Sequence, residues 1–328
     1  MTPARTTGAC VLRMIGLLLL VAGLQAAASA AAPKARYQVD GFFRMQVGDF
    51  EVTSLLDGGF GFPPDLLKAD PEQVARLIAQ DFPSDPPKFD GSVAGFLVNT
   101  GRQLILVDTG LGHFGGFPGT GKLAANLRAA GYRPEQVDLV LITHLHFDHI
   151  GGLLTGNGKR AFPNAVVKMS RAESDYWLSR EEAAKAPKDS QPMFDYARQA
   201  AAPYLAAKRW KPFDGTGELV PGVRPYPLVG HTPGHTGYEF ASKGQRMLAW
   251  GDTLHVAPVQ FGHPEIGIAF DLDPQQAIDQ RLKLFAMLAE DGTVVAAPHV
   301  GFPSLGRLLK QGAGSGYVWV PVRYFPAR

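Results

Sequence analysis

Apolar positions along the chain fall mostly in short alternating or continuous runs, broken by glycine- and proline-rich stretches, with helical spacing in only a few longer segments. Residues 42–56 alternate well enough to predict strands, and Asp57-Gly58-Gly59 is expected to turn the chain after them. Residues 93–99 and 104–107 read as a hairpin around Thr100-Gly101-Arg102-Gln103, and 137–143 as a buried strand. Further strands are expected at 165–169, 223–229, 238–241, 246–250 and 293–296. Helices are expected at 71–78, 122–130 and from 172, with a helical insertion at 181–203 placed to cover a site. The strongest amphipathic helix is 274–289, capped by Asp273. The proline-rich stretch 81–88 and the glycine-rich stretch 110–120 are expected to be loops, the second presenting Phe114 and Phe117.

Residues 1–30 stand apart from this pattern. Arg5 and Arg13 precede a short apolar run, and Ala28, Ser29 and Ala30 form a small-residue cleavage signal, so the segment is read as a secretory signal peptide. Residues 31–328 are then expected to form one domain, and export to the periplasm is expected. The run is too short for a membrane span, and no later segment reads as one. The single cysteine, Cys10, lies within the signal, which excludes disulfides, thiolate ligands and thiol nucleophiles from the mature chain. Without the signal, basic and acidic residues are equal at 30 each, and no basic stripe points to nucleic acid.

Histidine, carboxylate and hydroxyl groups are left to carry the chemistry, and they are concentrated. Thr143-His144-Leu145-His146-Phe147-Asp148-His149 places four ligand-type side chains in six residues directly after a buried strand. An extended backbone puts His144 and His146 on one side, and a following turn returns Asp148 and His149 to an adjacent point. One short motif cannot fill two metal shells. The remaining candidates are His235 in Thr232-Pro233-Gly234-His235-Thr236, Asp252 in Gly251-Asp252-Thr253, and His299 after Ala296-Ala297-Pro298. Imidazole and oxygen donors without thiolate suit zinc, manganese, cobalt or iron. His231, four residues before His235, is read as a supporting residue, and His113, His255 and His263 as peripheral.

With these motifs the chain resembles the metallo-β-lactamase superfamily, and within it the methyl parathion hydrolases with their lactonase and aryl esterase relatives. The likeness extends through Gly95-Phe96-Leu97-Val98-Asn99-Thr100-Gly101, Leu106-Val107-Asp108-Thr109-Gly110 and Val256-Ala257-Pro258-Val259-Gln260-Phe261, and spans residues 37–324. It implies an αββα sandwich. It also implies one metal on His144, His146 and His235, a second on Asp148, His149 and His299, and Asp252 bridging both. Two divalent ions, zinc first among them, would activate a bridging hydroxide for attack on a lactone, aryl ester or neutral organophosphate triester. Asp148 and Asp252 become the catalytic carboxylates. Asp57 and Asp108 are expected to orient site histidines, and Phe114, Phe117, Trp177 and Phe194 to wall the substrate pocket, with either loop phenylalanine able to take that role. A homodimer is implied as well.

The competing reading within this class is a dedicated lactonase or aryl esterase with only promiscuous phosphotriesterase activity. A β-lactamase is disfavoured because no ammonium group is placed for the substrate carboxylate. A nonenzymatic metal-binding module is the reading from a different class.

Overall fold

The computed structural model describes residues 32, 34–35, 38–81, 89–114, 116–312, 314 and 316–324. The expected signal peptide and most of the 81–88 loop lie outside them. Residues 40–328 form one compact unit.

Alternation along the strands builds the fold. β1 (Phe42–Val47), β2 (Phe50–Phe62), β3 (Phe89–Asn99), β4 (Leu104–Val107), β5 (Leu139–Leu141) and β6 (Val166–Lys168) lie in that order in one sheet. β7 (Val223–Pro227), β8 (Thr236–Ser242), β9 (Gln245–Ala249), β10 (Val294–Ala296), β11 (Leu305–Lys310) and β12 (Tyr317–Pro321) make the second. Phe96, Val98, Ile105, Val107, Leu139 and Leu141 face inward and meet Tyr238, Phe240, Met247, Ala249 and Ala296 of the other sheet. Their neighbours Leu97, Leu106 and Val140 face outward under helices. A period of two thus supplies both faces of a sheet that is buried on both sides.

The helices in chain order are α1 (Pro71–Asp81), α2 (Leu123–Ala129), α3 (Phe147–Ile150), α4 (Arg171–Leu178), α5 (Arg180–Lys185), α6 (Gln191–Ala206), α7 (Ala257–Gln260) and α8 (Pro274–Asp291). Leu123, Leu127, Trp177, Phe194 and Tyr204 cover the outer face of the first sheet, and Leu284, Phe285 and Leu288 of α8 cover the second. Helix, sheet, sheet, helix is the αββα sandwich. Asp273 caps α8 by accepting from the Gln276 amide at 3.1 Å, as expected. The 181–203 insertion is helical, forming α5 and most of α6.

Two expectations change. Asp57-Gly58-Gly59 does not turn the chain, because β2 continues to Phe62 with a bulge between Leu56 and Gly58. The bulge lets the strand bend while its pairing with β3 resumes beyond it. The sheet also extends past 293–296, the last expected strand, through β11 and β12.

Candidate metal centre

Seven ligand-type groups converge where strands of both sheets end. The apolar β5 runs into Ile142 and Thr143, whose amide and hydroxyl both donate to Asp108 at 2.8 Å and so fix the exit of the strand. His144 and His146 follow on extended backbone, and His146 stands at the N-cap of α3. That single helical turn brings Asp148 and His149 back to the same place. The second sheet contributes His231 from the β7–β8 connection, Asp252 from beyond β9 and His299 from beyond β10.

The groups divide into two sets around Asp252. Its Oδ2 lies 3.5 Å from His144 Nε2 and 3.3 Å from His231 Nε2, while His146 Nδ1 is 3.0 and 3.1 Å from those two nitrogens. Its Oδ1 lies 3.0 Å from both His149 Nε2 and His299 Nε2, and Asp148 Oδ2 stands 3.5 and 3.6 Å from the same pair. His144, His146, His231 and Asp252 satisfy the spacing of donor atoms around one ion, as do Asp148, His149 and His299, and Asp252 with His255 and His299 does so too. The outward ring nitrogens show which atoms are free to ligate. Nδ1 of His149 donates to Asp108 Oδ2 at 2.9 Å, that of His231 to Asp271 Oδ1 at 2.8 Å, and that of His299 to the Ser92 carbonyl at 2.9 Å. The Thr143 hydroxyl is already committed to Asp108, so it accepts from His144 Nδ1 at 3.1 Å. Nε2 of each of these four rings is thereby turned toward the cluster, while His146 faces it through Nδ1.

A divalent ion fits the set of Asp148, His149 and His299 on the evidence of its orphans. Asp252 Oδ1 is buried without a hydrogen-bond partner, as are His149 Nε2 and His299 Nε2, each 3.0 Å from it. Such groups are costly unless something else satisfies them, and their lone pairs converge on a common point. Burial and then the neighbouring His231 push His146 down to about 3, and burial with His149 holds His144 well below the imidazole range. Both rings are thus neutral, the form that ligates. Burial works to raise Asp252, but His149, His299 and His144 together hold it well below the carboxylate range. Asp148 falls to about 2 against its burial, chiefly through His149. The arrangement is a dinuclear divalent-metal centre.

One exchange of histidines corrects the sequence reading. His231 occupies the place expected of His235. His235 Nδ1 donates to the Leu228 carbonyl at 2.8 Å, and its Nε2 accepts from the Asp252 amide at 2.9 Å, so neither nitrogen is free. It sits beside the cluster and holds the backbone that carries Asp252. His255, expected to be peripheral, has its Nε2 3.0 Å from Asp252 Oδ2. Asp108 orients a site histidine as expected, whereas Asp57 does not. The Asp57 carboxylate accepts from the amides of Leu111, Gly121 and Leu123, each at 3.0 Å, and shapes the glycine-rich loop instead.

A cleft of about 460 Å³ opens over the centre, lined by Asp148, Asp252, His146, His255 and His299 at its base. Phe117 and Trp177 belong to its wall, together with Phe60, Phe62, Phe147 and Phe270. Phe117 is 39% exposed and stacks between Phe60 and Phe147, at 5.0 and 6.0 Å between centroids. Phe114 and Phe194 do not reach the cleft. Phe114 is buried against Tyr196, and Phe194 packs behind Trp177 at 4.7 Å. Among the described residues neither Lys nor Arg lines the cleft, and Asp189 is a further charged group on its wall. Among the described residues, no helix is long and apolar enough to cross a membrane.

Fold and centre together define a two-metal enzyme scaffold of the hydrolase type. The chain belongs to the metallo-beta-lactamase superfamily, whose family model matches residues 89–299. It is similar to the solved hydrolase AbOPH of that superfamily at 38% identity and a TM-score of 0.84, over 88% of this chain and all of that one. It is also similar to AidC, a dizinc quorum-quenching lactonase, at 26% identity and a TM-score of 0.78, over 87% of this chain and 99% of that one. Among curated proteins it resembles an N-acyl homoserine lactonase of Bacillus thuringiensis, 32% identical over 158 residues, 43% of this chain and 54% of the relative. The match thus spans about half the length of that relative.

Proposed function

We propose that the protein is a dinuclear metal-dependent hydrolase of neutral, apolar esters, acting on lactones, aryl esters and organophosphate triesters. The observation that carries this is Asp252, whose two oxygens face separate donor sets beneath an aromatic cleft that no Lys or Arg lines among the described residues. His144, His146 and His231 would hold one ion, Asp148, His149 and His299 the second, and Asp252 would contact both. When bound, two such ions supply Lewis acidity toward a carbonyl or phosphoryl oxygen and activate water near neutral pH.

The protein's own residues choose and place the substrate. Phe60, Phe117 and Phe147 offer stacked aromatic faces that suit a flat aryl or lactone ring through apolar burial and offset stacking. Asp189, with no Lys or Arg on the cleft among the described residues, disfavours carboxylate- or phosphate-bearing substrates, and with them penicillin-like β-lactams. An activated phenolate makes small demands on a proton donor, so for aryl esters and triesters the wall can remain apolar. Zinc is the expected metal, supported by the nitrogen and oxygen donors and by the likeness to a dizinc enzyme. Export to the periplasm and assembly as a homodimer complete the proposal, supported by the signal-like residues 1–30 and by the resemblance.

The test is a matched panel of a lactone, an aryl acetate, a methyl-substituted aryl phosphotriester and a β-lactam, with metal content measured on the same sample. Turnover of the first three with two ions per chain is the expected result. Turnover confined to the lactone and acetate would assign the pocket to carbonyl substrates, as the likeness to lactonases favours. No turnover, or turnover with the ions removed, would overturn the proposal.

A further inference from the structure

Glu173 is fully buried on the first turn of α4 and reaches away from its own helix. Its Oε1 accepts from the Leu145 amide at 2.8 Å, between His144 and His146 in the chain. Its Oε2 accepts from the Thr232 hydroxyl at 2.7 Å and from the Gly234 amide at 2.9 Å, just beyond His231. One carboxylate thus joins two loops from different sheets, and those loops carry all three histidines of one donor set. Ser170, the N-cap of α4, repeats the contact by donating to the Gly234 carbonyl at 2.8 Å. The approach is close enough that a Cβ on Gly234 would stand 2.2 Å from the Glu173 amide nitrogen and 2.3 Å from Ser170 Oγ.

The other donor set is secured differently. His149 rests on Asp108 and His299 on the Ser92 carbonyl, and Glu173 has no hydrogen bond to either of these supports. Burying a carboxylate is costly, and a core needing only volume would be served as well by an apolar side chain. All three donors to Glu173 come instead from the histidine loops.

We propose that Glu173 is a positioning residue that sets the spacing between the His144–His146 and His231 loops, and thereby the affinity of one of the two ions. The inference rests on the reading that His144, His146 and His231 hold an ion. The experiment is chelator competition on the full chain loaded with Zn²⁺, following the two dissociation steps by metal analysis in wild type, Glu173→Gln, Thr232→Val and His231→Ala. His231→Ala identifies the step that belongs to its site.

The expected result is that Glu173→Gln weakens that same step about 10- to 100-fold, the range for groups that orient metal ligands, and moves the other step by less than about threefold. Thr232→Val, which removes one of the three hydrogen bonds, shifts the same step by a smaller factor. Unchanged affinities in a folded Glu173→Gln protein, or equal weakening of both steps, would overturn the proposal. Should that variant fail to fold, Thr232→Val decides alone, and an unchanged step overturns it. Wild type without two ions would instead overturn the underlying reading, so the two failures are distinguishable.

Discussion

His231 and His235 are four residues apart on one glycine- and proline-containing turn, and their rings have opposite duties. His231 offers Nε2 to the cluster with Asp271 behind it, while His235 spends both nitrogens on backbone groups. His231→Ala is therefore expected to lose one ion and to lower kcat/KM by orders of magnitude. His235→Ala should keep both ions with affinity reduced about 10- to 100-fold, as for a group that supports a ligand. Metal stoichiometry beside kcat/KM separates the two, and the opposite ranking would reverse the assignment. Asp271→Ala belongs with the second class, since it leaves His231 without its acceptor. The same turn shows where sequence reasoning stops. The residue types in His144 to His149 and the strand before them declare a metal motif, because their local spacing decides their direction. Which of His231 and His235 turns inward depends on backbone angles at Thr232, Pro233 and Gly234, and nothing in the residue types reports them.

The segments that aim these side chains differ in how far the sequence reveals them. Strand alternation at 96–98 and 104–107 names both faces of the first sheet, because the period of two is local. The cleft wall is not local, for Phe60 and Phe62 come from the end of β2 and Phe270 from the turn before α8. Only the fold unites them, and the burial of Phe114 beside the exposure of Phe117 is settled by packing on α6. Phe117→Ala is expected to raise KM for an aryl substrate by about two- to tenfold, in line with the roughly 0.5–1.5 kcal/mol of an aromatic contact, with little change in Tm. Phe114→Ala should instead cost about 3–5 kcal/mol of stability, as for a large core truncation, with KM little changed in the folded fraction. Thermal melts alongside KM would show whether the roles are so divided.

Helix α8 also buries a charged group. Arg281 is 1% exposed and donates to the carbonyls of Thr253, Pro264 and Ile266 at 2.7 to 2.9 Å. The helix so anchors the residue next to Asp252 and the segment leading to Phe270. Arg281→Met leaves those carbonyls without that donor, and about 3 kcal/mol or more of lost stability is expected from hydrogen bonds to a charged group. Denaturant unfolding of the loaded protein measures it.

At the scale of the whole molecule, the donors do not belong to one half of the fold. His144, His146, Asp148 and His149 follow β5 of one sheet, whereas His231, Asp252 and His299 leave strands of the other. Ions held between them would act as a clasp across the sandwich at one edge, whereas elsewhere the sheets are joined by side-chain packing and by contacts such as Asp49 to Ser242. Removing the ions should therefore loosen the molecule unevenly. Amide exchange is expected to quicken at residues 143–150, 230–235 and 252–255 on chelation, with the β11–β12 pair little changed, and Zn²⁺ should restore the slow pattern. The reaction centre would then double as a mechanical fastening, so that a cell withholding metal would release not only an inactive protein but one whose two halves part first at the active edge.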